Sequence, residues 1–303
     1  MKFNLLILAI FLIILFSCRV MSGDNSYSPY DGEYPKDVYF GDTHLHTSYS
    51  ADAGFVGTTL GPDEAYRFAS GEKITSSTGV KAKLQAPLAF LVVADHAENM
   101  GIAPLAAAGD PAILATDFGA QVHELLKANK GAEAFDLWRK IRASGQDPMA
   151  GENEAAQVVW GNITAAAEKY NDPGIFTAFI GYEWTSVPGG NNLHRNIIYR
   201  DGKNIADQVL PFSSYDSEDV EDLWTWMENY EETTGGKLLA IPHNGNLSNG
   251  LMFDDVTFTK QELTKDYAER RSRWEPVYEV TQMKGDGEAH PYLSPKDEFA
   301  DFE

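Results

Sequence analysis

Four short apolar runs recur along the chain, and each ends in residues that can do chemistry. Residues 38–40 lead into Asp42, His44 and His46, residues 88–94 into Asp95 and His96, residues 175–182 into Glu183, and residues 237–242 into His243 and Asn244. Runs of this length predict strands, and unbroken apolar ones predict strands covered on both faces. In the first run the strand body is expected at Val38, Tyr39 and Phe40, with Asp42 opening the loop at its carboxyl end. Between the runs the pattern is helical. Pro62, Asp63 and Glu64 open a helix reaching residue 72, and a polar, hairpin-like insert follows to Pro87. Residues 99–171 repeat apolar positions near every 3.6 residues, which predicts a long helical insert between core strands. Ser217 is expected to cap an amphipathic helix over 217–232, a charged helix covers 260–275, and a last strand covers 277–281. This alternation predicts an α/β fold whose parallel sheet is closed or curved under helices.

In such folds the functional groups collect at the carboxyl ends of the strands. In an extended chain His44 and His46 point to the same side, so both imidazoles can converge on one ion, with Asp52 near in sequence as an oxygen donor. Glu183, ending a hydrophobic strand, must reach solvent or bind a cation. A Gly-rich loop, Pro188 to Asn192, leads to His194, Arg195 and a short strand over 196–199. Together these endings predict one shared metal site. His123, inside the helical insert, reads as a helix-surface histidine, and Glu279 and His290 are left unassigned.

Composition narrows the picture. With 303 residues, 43% hydrophobic and 12% aromatic, the chain can bury the core of one large α/β domain or two smaller ones. A formal charge of −21 without clustered Lys and Arg excludes a nucleic-acid groove and reads mainly as a solvated acidic surface. Residues 5–16 are apolar but shorter than the roughly 20 residues that span a bilayer, and they have the length of a secretory signal core. The stretch Leu15-Phe16-Ser17-Cys18 resembles a bacterial lipoprotein box, in which the cysteine becomes the lipidated first residue. An exported protein is expected, a periplasmic or outer-membrane lipoprotein that meets the membrane only through Cys18, with residues 19–36 as a flexible tether; the alternative is an ordinary signal peptide. Cys18 is the single cysteine, which excludes an intrachain disulfide and a thiolate metal site.

His-Leu-His-Thr at 44–47 with Asp52, Asp95-His96, Gly-Tyr-Glu at 181–183 and Pro-His-Asn at 242–244 resemble the polymerase and histidinol phosphatase (PHP) superfamily of metal-dependent phosphoesterases. The likeness covers roughly residues 37–303. Closer still, Gly41 to Thr47, Gly181 to Trp184, Ile241 to Asn244 and the end segment Glu279 to Glu303 resemble a bacterial PHP-like family catalogued as a domain of unknown function. The resemblance implies a distorted (β/α)7, TIM-like barrel with two or three divalent ions. It implies His44, His46, Glu183 and His243 as ligands, joined by His96, His194, Asp52 and Asp95. The superfamily closes its site with a late Asp-x-His motif, which this sequence lacks after His243. That departure implies either a barrel incomplete at its carboxyl end or a degenerate site.

A histidine and carboxylate donor set suits Zn, Mn or Fe. Two ions ~3.5–4 Å apart, bridged by Glu183, would acidify a shared water for in-line attack. Arg195 and Asn244, with Asn191 or Asn192, would then hold the oxygens of the ester. The expected function is hydrolysis of a small-molecule or glycan-linked phosphate or sulfate ester through a metal-bridged hydroxide. Two alternatives stand beside it: a non-catalytic lipoprotein that binds metal or glycan, and an amidohydrolase-type hydrolase, whose usual bridging lysine has no counterpart at these strand ends.

Overall fold

The structure, a computed structural model, describes residues 37–287 and Tyr292. The expected signal peptide, Cys18, the tether and His290 lie outside the described residues. The chain divides into two compact units, 1–38 and 39–303, and every described helix and strand belongs to the second. No described helix is long and apolar enough to cross a membrane.

In chain order the elements are β1 (Gly41–Leu45), α1 (Ala51–Gly54), α2 (Pro62–Ala69), β2 (Ile74–Thr75), β3 (Lys81–Ala82), β4 (Phe90–Val93), α3 (Ile102–Ala108), α4 (Pro111–Leu114), α5 (Asp117–Lys127), α6 (Gly131–Ala143), α7 (Asn153–Tyr170), β5 (Thr177–Trp184), β6 (Arg195–Tyr199), α8 (Lys203–Ala206), α9 (Val220–Thr234), β7 (Leu238–Pro242), α10 (Lys265–Trp274), β8 (Thr281–Gln282) and β9 (Gly285–Asp286). Five strands form one mixed sheet in the order β1-β4-β5-β6-β7. Strands β1, β4 and β5 run parallel, as the alternation predicts. Strand β6 is antiparallel to both neighbours, a departure from the all-parallel expectation. The cause is the short loop 185–194, which makes a hairpin, whereas a parallel crossover needs a dozen or more residues.

The first strand also differs. It begins at Gly41, and Val38, Tyr39 and Phe40 stay exposed, because the partner strand starts opposite Gly41 at Phe90. The last expected strand shrinks to the small β8–β9 hairpin, and the Glu279 N–H donates to the Pro242 carbonyl. Helix α9 is capped by Asp219, whose side chain accepts from the Glu221 N–H, rather than by Ser217.

The period of two along each strand sorts side chains between the sheet's faces. On the outer face, Leu91, Val93, Ile180, Tyr182, Trp184, Ile197 and Tyr199 bury against α2, α7, α9 and α10 through Tyr66, Trp160, Trp224, Met227 and Trp274. The inner face carries a smaller cluster of Val92, Ala94, Ile198 and Ile241. Gly181 lies on this inner side, where a Cβ would collide with Val92 Cγ1 and come within 2.9 Å of the Ile197 carbonyl. The helical insert has its own core, in which Phe118, Val122 and Trp138 pack on Ala51 and Phe55 just after the His44–His46 loop.

The sheet is curled into a half-barrel. The Asn196 side-chain amide on β6 donates to the Thr43 carbonyl on β1 at 3.1 Å, across strands that are not neighbours. This curl brings the strand ends together.

Candidate metal centre

Glu183 follows Phe179 and Gly181 on the inner face of β5 and is fully buried. Five imidazoles crowd its carboxylate. Oε2 lies 2.8 Å from His46 Nε2 and 3.4 Å from both His44 Nε2 and His96 Nδ1, while Oε1 lies 2.5 Å from His194 Nδ1 and 3.0 Å from His243 Nε2. His44, inside β1, and His46, just past its end and beyond an irregularity in the β1–β4 register, both reach this one carboxylate.

Two further carboxylates hold the far sides of that pair. His44 Nδ1 meets Glu279 Oε2 at 2.8 Å, and His46 Nδ1 meets Asp52 Oδ1 at 3.0 Å. Asp52 Oδ2 also lies 3.3 Å from His96 Nε2, and Ser50 Oγ donates to Asp52 Oδ1 at 2.7 Å. On the other side of the centre, Thr185 Oγ1 lies 2.5 Å from His96 Nδ1. Thr185 is clamped in turn: its N–H donates to Glu98 Oε1, and its carbonyl accepts from Arg142 of the helical insert.

The electrostatics are those of a site built for positive charge. Burial opposes ionisation of Glu183, but His96, His243 and His194 hold its carboxyl well below the usual range. Burial would push His44 and His46 down, yet Glu183 with Glu279 raises His44 to about 9, and Asp52 with Glu183 raises His46 to about 10. For His194 burial wins and pushes it down to about 3.

Close approach has not produced a satisfied hydrogen-bond network. His46 Nε2, Glu183 Oε2, both nitrogens of His194, His243 Nδ1 and Glu279 Oε1 are buried without a hydrogen-bond partner among the described residues. One carboxylate offers about four lone-pair sites, too few for five rings in good alignment. Buried polar atoms left unpaired are costly unless something else completes them. A divalent cation does so naturally. Among the described residues, four groups of donors, each within 4.8 Å, could hold one: His44, His46 and Glu183; His44, His243 and Glu279; His46, Asp52 and His96; His96, Glu183 and His194. Glu183 belongs to two of them.

Comparison with known proteins gives one match. The model of the family described as Protein of unknown function (DUF3604) matches residues 33–303. The chain belongs to this family. It matches no curated protein and no solved structure.

Not every residue expected at the site of this DUF3604 member faces it. Arg195 pairs with Trp184 across the β5–β6 ladder and therefore points to the outer face, away from Glu183. Its guanidinium is buried against Glu275, with Nε 3.0 Å from Oε1. Asp95, alternating out of register with His96, gives both oxygens to Thr47, to the N–H at 2.5 Å and to Oγ1 at 2.7 Å. It ties the β1 loop to β4, and burial pushes its carboxyl up to about 6. Asn244 takes a left-handed conformation, with φ 55°, and accepts from Gln282 Nε2 at 2.8 Å. Asn191 donates to the Pro188 carbonyl, and Asn192 accepts from the His194 N–H. His123 is half-buried, with Nδ1 against the Ala106 carbonyl at the end of α3.

The sequence pattern assigns no role to Glu279 or Thr185. A carboxylate inside an expected strand at the late end of the chain was the available signal for Glu279; for Thr185 there was none.

Proposed function

We propose that this chain is a metal-dependent hydrolase of phosphate or sulfate esters, exported as a lipid-anchored protein. The observation that carries it is Glu183: one buried carboxylate among five histidines, with several of the facing atoms lacking hydrogen-bond partners among the described residues. The donors fit Zn, Mn or Fe, with nitrogen and oxygen atoms and no thiolate. Two or three such ions would supply Lewis acidity toward an ester oxygen and toward water.

The chain's own residues do the rest. Glu183 and the imidazoles of His44, His46, His96, His194 and His243 form the donor shell. Asp52 and Glu279 hold the Nδ1 atoms of His46 and His44, which fixes each ring with Nε2 toward Glu183. Glu183 is sealed from solvent, whereas Asp52 is 30% exposed, so the ester approaches from the Asp52 side. There an open groove of about 640 Å³ runs past His44, His46, Asp52 and Glu279. The PHP superfamily supplies the barrel reading: the curled half-barrel would be part of a distorted (β/α)7 barrel.

The test is metal analysis with turnover. The purified protein should bind two or more Mn or Zn ions per chain and cleave an aryl phosphate or aryl sulfate, and His46→Ala and Glu183→Ala should lose both. Full metal retention in the two variants would sink the reading. Metal loss in the variants without turnover by the wild type on any ester would leave a metal-binding lipoprotein instead.

A further inference from the structure

An anionic ester approaching this site meets a difficulty of charge. The protein carries −21, and the groove that opens on the centre is lined by Asp42, Asp52 and Glu279. The arginine that the sequence offered, Arg195, is buried in its pair with Glu275 on the other face of the sheet. A cation is nevertheless present. Lys284 is the only lysine or arginine along the groove among the described residues; it is exposed and has no ion pair among them.

Its position is built rather than incidental. The segment from Tyr278 to Gly287 is strapped along residues 242–246, the stretch that carries His243. The Glu279 N–H donates to the Pro242 carbonyl at 3.1 Å, the Gly245 N–H to Tyr278 Oη at 2.8 Å, Gln282 Nε2 to Asn244 Oδ1 at 2.8 Å, and Asn246 Nδ2 to the Lys284 carbonyl at 3.2 Å. The turn of the β8–β9 hairpin is closed by Gln282 Oε1, which accepts from the Lys284 N–H at 3.1 Å. The same strap delivers Glu279 to His44 and, further along, holds the Lys284 backbone at the groove while leaving its side chain exposed. A flexible stem ending in a compact ammonium suits a tetrahedral oxyanion arriving from water.

We infer that Lys284 is the specificity-determining cation of this groove, binding the negatively charged oxygens of the phosphate or sulfate group. The inference rests on the hydrolase reading above and names the protein group that recognises the substrate's charge.

The experiment is calorimetric titration of the metal-loaded full chain with inorganic phosphate and with inorganic sulfate. Lys284→Met should weaken anion binding about tenfold, the equivalent of ~1.4 kcal/mol, while Lys284→Arg stays within about threefold of the wild type and the metal content of both variants equals that of the wild type. Wild-type affinity in Lys284→Met would overturn the assignment and leave the hydrolase reading standing. Loss of metal from Lys284→Met would also overturn it, by making the lysine structural. A wild-type protein that is loaded with metal yet binds neither anion would overturn both.

Discussion

The rings of His44 and His243 lie 4.0 Å apart, centre to centre, although β1 and β7 are opposite edges of the five-stranded sheet. A flat sheet with strands about 4.8 Å apart would separate those edges by roughly 19 Å. Curling removes that distance, and Glu183 on the central strand β5 becomes the point on which both edges converge.

If cations complete this centre, removing them should destabilise the fold. Binding at a hundred times the dissociation constant stabilises by about 2.7 kcal/mol, which in a domain of this size corresponds to roughly 5–10 °C in Tm. Thermal unfolding with and without a chelator should show that shift in the wild type and none in Glu183→Ala. An identical shift in both would place any metal elsewhere.

The metal-free protein should be most stable near neutrality and weaken on either side. His44 and His46, raised to about 9 and about 10, stabilise the fold fully below their ordinary value of 6.5 and lose that contribution as pH rises through 9 and 10. His194, pushed down to about 3, acts oppositely: between 6.5 and 3 the unfolded chain takes up a proton that the fold refuses, so stability falls with falling pH. Denaturation midpoints of the chelated protein, followed from the mildly acidic to the alkaline side of that range, check this. A flat alkaline limb would contradict it.

Thr185 should tune metal affinity without touching an ion. Its hydroxyl holds His96 Nδ1, and outer groups that orient a ligand ring are worth roughly 10–100-fold in affinity. Thr185→Val should weaken metal binding by about that factor, and Thr185→Ser should restore it; equal affinities in all three proteins would remove the orienting role.

Arg195 should matter for stability alone. Arg195→Ala leaves Glu275 with Arg271 at 3.2 Å and the Trp224 indole N–H. It should therefore cost less than the roughly 3–5 kcal/mol of an uncompensated buried charge but still lower stability by about 1–3 kcal/mol, and with it the denaturation midpoint. The fraction that remains folded should keep its full complement of metal. Lost metal at unchanged stability would return Arg195 to the site.

The amino-acid sequence by itself determined where apolar runs give way to histidines and carboxylates, because both are local patterns, although the first strand runs later than its apolar run, over Gly41–Leu45. His44, His46, His96, Glu183 and His243 were legible in that way, as were α2, α9 and the helical insert. Tertiary structure decided what those ends face. The register that pairs Arg195 with Trp184 turned Arg195 outward, and Asp95 went to Thr47 because alternation beyond β4 gives the inner face to His96. Glu279 reaches His44 across 235 positions of sequence, and Thr185 reaches His96 only because the His96–Glu183 bridge sets the two strand ends side by side. Periodicity reports which face a residue takes relative to its neighbours, whereas partners so distant in the chain are chosen by strand pairing and sheet curl, which no local pattern records.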